Sequence, residues 1–307
     1  VRKLERTNNR ADYASDDVFA NFREIKLGKI AAGTLYRSSS PVNNEIGRAT
    51  YADKLLAAAK VATVVNLADS KEKVEGFMAK EDFKSPYYAD LFKNGKVITL
   101  NLGLAFTSNE FKAGIAKGVQ FMADNAAPYH FHCLEGKDRA GYMAVFLESL
   151  MGATKEEIID DYMKSYENYY KVVKDSEQYD KIAESNIVNA MTEVVFGMPK
   201  GSDISQVDIQ AATEKYLRKI GVSKKTIAQL KKNLAGKPVY NNGYVLEAPY
   251  LDNYLVNNGM PLVRAYKGHT NIAICINYGK LNEIAGIDVG DKFTVFMNKK
   301  QGYADAY

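Results

Sequence analysis

The sequence predicts an α/β protein: a central, mostly parallel sheet flanked by helices, followed by a small β module. Three observations carry this expectation. Apolar, β-branched runs alternate with segments of helical period through the first part of the chain. A short apolar strand at residues 129–132 then passes through a loop of glycine and charged residues straight into a helical pattern. After Gly236 the helical period stops, and Asn, Gly and Tyr become frequent.

Residues 1–9 alternate weakly and are expected as an edge strand, with 10–15 as a polar loop. Residues 18–27 are half apolar and lead into 28–35, where Ile30 and Leu35 predict paired strands around Gly33. Arg37-Ser38-Ser39-Ser40-Pro41 reads as a turn whose hydroxyls can cap a helix or touch a ligand. An amphipathic helix is expected over 45–59, and the continuous apolar run 61–67 fits a strand buried on both faces. Ala68-Asp69-Ser70 then forms a loop at the carboxyl end of that strand, where α/β folds keep their ligand sites. Residues 72–88 mix helix and loop, 96–102 are a strand, and 109–125 are a helix carrying Phe111, Ile115, Val119 and Phe121.

Beyond the central loop, Tyr142, Val145, Phe146 and Leu150 recur at helical spacing. Thr154 with Glu157 three residues on is a capping box, and Ile158, Ile159, Tyr162 and Tyr166 follow on one helix. Tyr162, Tyr166, Tyr169 and Tyr170 read as packing and rim residues. Residues 182–195 are expected as another helix, and 205–220 with 223–234 as a hairpin around Gly221, with Ser223 as N-cap. Gly236-Lys237-Pro238 is the expected boundary between a domain at 10–236 and a β module at 237–307. In the module, strands are expected at 270–277 and 291–297, with a turn at 298–302. Such a small sheet needs an edge partner, so residues 1–9 are expected to complete it and bring the chain ends together. Cys275 reads as a buried core thiol and His269 as a loop residue.

The chemistry concentrates in Tyr129-His130-Phe131-His132-Cys133-Leu134-Glu135-Gly136-Lys137-Asp138-Arg139-Ala140-Gly141. A cysteine followed by five residues and an arginine, on a strand-loop-helix, is a phosphate-binding nucleophile site. Only a thiolate attacks phosphorus well, and a loop wrapped over a helix N-terminus points several N–H groups at both sulfur and phosphate. Arg139, on the first helical turn, offers a planar fork for two phosphate oxygens. Gly136 lets the backbone curl close to the ligand, and His132 is expected to fix the loop through backbone groups near Cys133.

Composition narrows the alternatives. The chain has 307 residues, enough for one large domain and a small one, and a formal charge of +4. That bias suits an anionic substrate and is too weak to argue for nucleic acid. Only Cys133 and Cys275 occur, so there is no disulfide framework. Three histidines without a carboxylate cluster around them call for no metal, and no cofactor is expected. No stretch approaches the apolar length of a membrane span. The start at Val1 without a methionine is what removal of an upstream secretion signal would leave, so a secreted or cell-surface bacterial protein is expected, with the cytoplasm as the alternative.

His132-Cys133-Leu134-Glu135-Gly136-Lys137-Asp138-Arg139-Ala140-Gly141 resembles the signature loop of the cysteine-dependent protein tyrosine phosphatase superfamily. Its Gly-Lys-Asp-Arg core is similar to the bacterial tyrosine/lipid phosphatase branch. Gly33-Thr34-Leu35-Tyr36-Arg37-Ser38-Ser39, the strand 61–70, Asp161-Tyr162-Met163-Lys164-Ser165 and the closing hairpin 211–234 resemble other elements of that branch, so the likeness spans residues 17–236. It implies a tyrosine phosphatase-like sheet and a phosphatase working through a phosphocysteine on Cys133, with Arg139 on the equatorial oxygens. Many relatives take the leaving-group proton from an aspartate on a separate loop. The corresponding stretch here, residues 100–110, has none, and Glu110 begins the next helix. Asp138 inside the loop is therefore the expected acid, as the branch implies, with Asp69 as second candidate. His132, Leu134, Glu135, Gly136, Lys137, Ala140 and Gly141 are expected around the substrate. Arg37 joins them either as a second phosphate ligand or as an ion-pair partner, and Asp69 as a further neighbour.

Lys137 adds positive charge that favours substrates with more than one phosphate. The resemblance implies phosphotyrosine and phosphoinositide substrates, with an inositol polyphosphate phosphatase as the alternative. A pseudophosphatase that binds phosphorylated ligands without turnover is a second class, and a partner-binding role for the β tail a third. One departure stands out. Relatives usually carry serine or threonine after the arginine, whose hydroxyl donates to the cysteine sulfur, and Ala140 cannot.

Overall fold

The computed structural model describes residues 4–236, 261–265 and 272–276. The chain divides into two units, Val1–Gly236 and Lys237–Tyr307. The first begins with α1 (Asp16–Phe19), β1 (Arg23–Glu24), β2 (Leu35–Ser38), α2 (Ala49–Ala58) and β3 (Thr63–Asn66). It continues with α3 (Lys71–Met78), α4 (Pro86–Lys93), β4 (Val97–Thr99), α5 (Asn109–Asp124), β5 (Tyr129–His132) and α6 (Asp138–Leu150). It closes with α7 (Lys155–Tyr170), α8 (Glu177–Ala183), α9 (Ile209–Lys219) and α10 (Lys224–Leu234).

The sheet order is β1-β2-β5-β3-β4, and every pairing except β1 with β2 is parallel. This is the α/β architecture that the alternating pattern foretells, consistent with the tyrosine phosphatase-like sheet that the resemblance implies. Strand β5 is central, and every residue of β3 and β5 is buried, as parallel strands covered on both faces require. Side chains alternate across the sheet, so Tyr129 and Phe131 enter the larger core with Phe111, Met143 and Phe146. His130 and His132 point to the opposite side, where His130 stacks on Phe22 and His132 meets the edge of Tyr88. Ser38, His132 and Asn66 lie side by side in register, so three chains leave the carboxyl edge of the sheet together.

Local sequence explains most helix starts. Ser108 caps α5, both bonds of the Thr154–Glu157 capping box form on α7, and Ser223 caps α10. Helix α6 is buried all round from Ala140 to Leu150, which makes it the axis of the larger core. The helix expected at 182–195 is instead α8 followed by two wider-wound segments, Glu184–Val188 and Met191–Val195. The Ser185 and Thr192 hydroxyls donate back to the carbonyls of Ile182 and Val188, competition that loosens a regular ladder.

Two expectations near the N-terminus are corrected. Of the paired strands expected around Gly33, the first lies earlier, at β1, and the second, β2, runs on through Arg37 and Ser38, expected in a turn, because β5 offers them a parallel partner. Residues 4–9 form no strand. They are held within the first unit by Arg48, which donates to the Thr7 carbonyl and to Asn8 Oδ1 and stacks over Tyr13, Phe19 and Tyr169. In the second unit, β6 (Pro261–Ala265) and β7 (Ile272–Ile276) pair antiparallel, with Val263 opposite Ile274. Cys275 falls within β7. The burial of its thiol, His269, the strand at 291–297, its turn and Tyr307 lie outside the described residues.

Candidate active site

Strand β5 ends at His132, and the loop Cys133–Lys137 turns back over the N-terminus of α6. Each carbonyl of that loop has a donor on its outer side. His132 Nδ1 lies 3.2 Å from the Cys133 carbonyl, which fixes the proton on Nδ1 because a carbonyl can only accept. The Ser40 amide donates to Leu134 O at 2.9 Å. Glu135 O accepts from Tyr169 Oη at 2.7 Å and from Asn21 Nδ2 at 3.2 Å. Gly136 O accepts from Arg37 Nη2 at 2.9 Å, and Lys137 O from the same nitrogen at 3.3 Å and from the Gly141 amide at 2.7 Å.

A peptide group whose carbonyl is held outward presents its N–H to the other side. The amides from Leu134 to Arg139 donate to nothing among the described residues. They form a nest of free donors continuous with the start of α6, a strong anion site. Cys133 precedes this nest with 3% exposure. Arg139 donates from Nη1 to Leu102 O at 2.8 Å, while its buried Nε has no partner among the described residues.

Gly136 holds the turn at φ +68°, and a Cβ there would stand 2.1 Å from Ser38 O. Both facts require glycine. Gly141 leaves room for the Tyr162 ring, 2.5 Å from where its Cβ would stand. Ala140, Gly141 and His132 are buried. Burial, partly offset by the bond to Cys133 O, pushes the His132 imidazole down to about 3, so it works as a neutral donor.

Arg37, expected among the substrate-binding residues, lies on the far side of the loop. It is fully buried, pairs with Asp161 at 2.5 Å and spends Nη2 on the loop carbonyls. It is a support, because its fork reaches the face of the peptides opposite their amides. Asp161 is gripped by Arg23 as well, at 2.6 Å. Burial opposes the Asp161 charge, and the two guanidinium groups overcome that and hold its carboxyl well below the usual carboxylate range.

Charged side chains ring the loop. Lys137 Nζ lies 2.9 Å from both oxygens of Asp138, 3.7 Å from Glu135 and over the Tyr166 ring. Burial pulls the Lys137 ammonium down, but Asp138, Tyr166 and Glu135 outweigh it and the net shift is upward. Asp138 is partly exposed and also accepts from Tyr162 Oη at 3.4 Å. Asp69, from the loop after β3, is 5% exposed and accepts from Asn66 Nδ2 at 3.1 Å. Burial raises its carboxyl, against the pull of Asn66, Lys73 and Arg139. Glu135 pairs with Arg6. The described residues hold no cluster of three or more metal-ligating side chains.

Several supporting residues escaped the sequence reading. Asn21, at φ +50°, touches Glu135 O, Gly136 O and Ser165 Oγ, and neither period nor motif marks it. Tyr169 carries only the signal of a packing and rim residue, and the Leu102 carbonyl carries no side-chain signal at all.

This arrangement is a loop of inward-facing amides suited to an anion, with a cysteine at its start and an arginine at its end. The tyrosine phosphatase family matches residues 17–236, and the chain belongs to that family. It is therefore a phosphatase, a phosphoric monoester hydrolase, whose substrates are phosphorylated. No match was found among curated proteins.

The loop geometry predicts the effect of one added methyl group. Gly136→Ala should force the loop off the Ser38 carbonyl, lower the melting temperature and cut phosphatase activity at least tenfold. A variant with native melting and native turnover would contradict the close approach of these two segments.

Proposed function

We propose that the chain hydrolyses phosphomonoesters through a covalent phosphocysteine on Cys133, acting on phosphotyrosine and on phosphoinositides. The observation that supports this reading most is the row of unpaired amides over the start of α6, those of Leu134 to Asp138 fixed by outward-held carbonyls. In this mechanism the three equatorial phosphate oxygens lie against those amides. The orphaned Nε of Arg139, with the rest of its fork, grips two of them. The Cys133 sulfur attacks phosphorus, an S–P bond forms, and the ester P–O bond breaks in line with it.

The departing oxygen takes its proton from Asp138, which then helps water attack the phosphocysteine. Sulfur leaves as the thiolate and inorganic phosphate departs. Asp138 stands within the loop, with Lys137 Nζ on both of its oxygens. A phosphate dianion competes for that ammonium and frees the carboxyl for proton transfer. Asp69 is the second candidate, favoured by the burial that raises its carboxyl against the pull of Asn66, Lys73 and Arg139.

Hydrolysis of an aryl phosphate by the wild type, abolished by Cys133→Ser, tests the nucleophile. A panel of phosphotyrosine peptides, phosphoinositides and inositol hexakisphosphate tests the substrate. Turnover of inositol hexakisphosphate alone would overturn the substrate assignment, and phosphate binding without turnover would make the chain a pseudophosphatase.

The acid is tested by leaving-group dependence. Asp138→Asn should slow alkyl phosphates by about 10²–10⁴-fold while sparing aryl phosphates with electron-withdrawing groups. An equal loss on both, or no loss, moves the role to Asp69 or to another group.

Ala140 tests the second half of the cycle. It is fully buried and carries no hydroxyl to stabilise the departing sulfur. A hydrogen bond to a charged group contributes about 1.5–3 kcal/mol, or roughly 10–150-fold in rate when made only in the transition state. Wild-type protein should release a burst of leaving group and then turn over slowly. Ala140→Thr should raise the steady rate and leave the burst alone; absence of a burst, with no gain in the variant, would defeat this account.

A further inference from the structure

Behind the loop lies a charged cluster that the chemistry does not use. Arg23 from β1 and Arg37 from β2 converge on Asp161 of α7, and Glu148 of α6 faces the same carboxylate. Glu148 is fully buried, and neither of its carboxyl oxygens receives a hydrogen bond from any donor among the described residues. Two ionised carboxylates facing each other, one shut away from water and the other nearly so, repel each other. A protonated Glu148 removes the conflict, because its O–H becomes the donor that Asp161 accepts.

We propose that Glu148 is a neutral carboxylic acid that donates to Asp161 and so acts as a positioning residue for the phosphate loop. The path runs through named contacts. Glu148 orients one side of the Asp161 carboxylate, and Asp161 fixes Arg37 Nη1 at 2.5 Å. Arg37 Nη2 then turns the Gly136 and Lys137 carbonyls outward. Those two peptides set the direction of amides in the nest, so a proton on α6 governs a surface it never touches.

The charged groups that act on Glu148 come from three elements: Asp161, Arg37 and Arg23. Burial is the largest influence and Asp161 the next, both raising its carboxyl well above the ordinary range, while the two arginines pull the other way. Asp161 is held down, so the pair shares a single proton, and that proton sits on Glu148. A carboxyl raised in the folded state gives stability that is full below the unfolded value of about 4.3 and is lost progressively as pH rises toward the folded value. The lowered Asp161 acts in the opposite sense and only below about pH 4, outside that window.

This proposal rests on the phosphatase reading of the loop, so its test has readouts besides turnover. Glu148→Gln keeps a donor of the same shape and removes the titration; Glu148→Ala removes both. Melting temperature from pH 5 to 8, orthovanadate binding and aryl phosphate kinetics are measured for each. An aryl phosphate with a good leaving group needs no acid, which keeps the titration of the acid out of the kinetics. Glu148→Gln should stay within about twofold of wild type in vanadate affinity and kcat near neutrality, and its melting temperature should rise relative to wild type as pH increases. Glu148→Ala should lose about tenfold or more in both activities. If the alanine variant fails to fold, the glutamine variant and its pH series decide alone. A melting difference that is constant with pH, or a glutamine variant as impaired as alanine, would overturn the proposal. Wild-type protein that neither binds vanadate nor turns over would refute the phosphatase reading instead, leaving the melting series to judge Glu148.

Discussion

The functional end of this molecule depends on which way six consecutive peptide groups face, from the Cys133–Leu134 link to the Asp138–Arg139 link. Each carbonyl from Cys133 to Lys137 is held on the outside of the loop, by His132, Ser40, Tyr169, Asn21, Arg37 and the Gly141 amide. Because a peptide is planar and trans, turning the carbonyl out turns the amide in. The anion site is thus built from behind. None of those donors needs to touch a ligand, yet removing one leaves a carbonyl free to rotate and an amide free to leave the nest.

Holding the peptides this way requires charge where there is no water. Arg37 and Glu148 are fully buried, and Arg23 and Asp161 are largely shielded, with 13% and 9% of their side chains exposed. Buried ions gain little net stability, since desolvation offsets most of the Coulomb attraction, but removing a single partner costs about 3–5 kcal/mol. Such a cluster fixes geometry more than it adds stability. It joins β1, β2, α6 and α7, the elements that surround the loop, so their packing and the loop's conformation stand or fall together.

The side opposite these supports belongs to the residues after β4. Arg139 donates to the Leu102 carbonyl, and the Asn101 amide bonds Asp69 O while Leu102 N bonds Leu67 O. Asn101 takes a left-handed φ of +48° to make that turn, and the Lys73 ammonium donates to its side chain at 3.3 Å. The stretch without an aspartate therefore still serves the site: its backbone sets one arm of the arginine fork, leaving Nε directed elsewhere.

Much of this was legible from residues alone. The strand 129–132, the cysteine and arginine with five residues between them and the helix behind them are contiguous, so local pattern and local chemistry identify them without a fold. The caps at Thr154 and Ser223 were equally plain, because an N-cap is read within four residues. The sheet's parallel character followed from apolar runs that admit burial on both faces. What the sequence withheld lies far apart along the chain. Asn21 meets the loop from 114 residues away and Arg37 from 99, and no period or motif encodes the satisfaction of a particular carbonyl. Arg37 could be read as ligand or support until its neighbours were in place. The protonation of Glu148 is of the same kind: a glutamate in a helical pattern is an ordinary surface acid until the fold shuts it beside Asp161. Sequence determined which residues are proposed for the chemistry, and tertiary structure decided how they are aimed, because aim depends on donors and charges that only folding brings together.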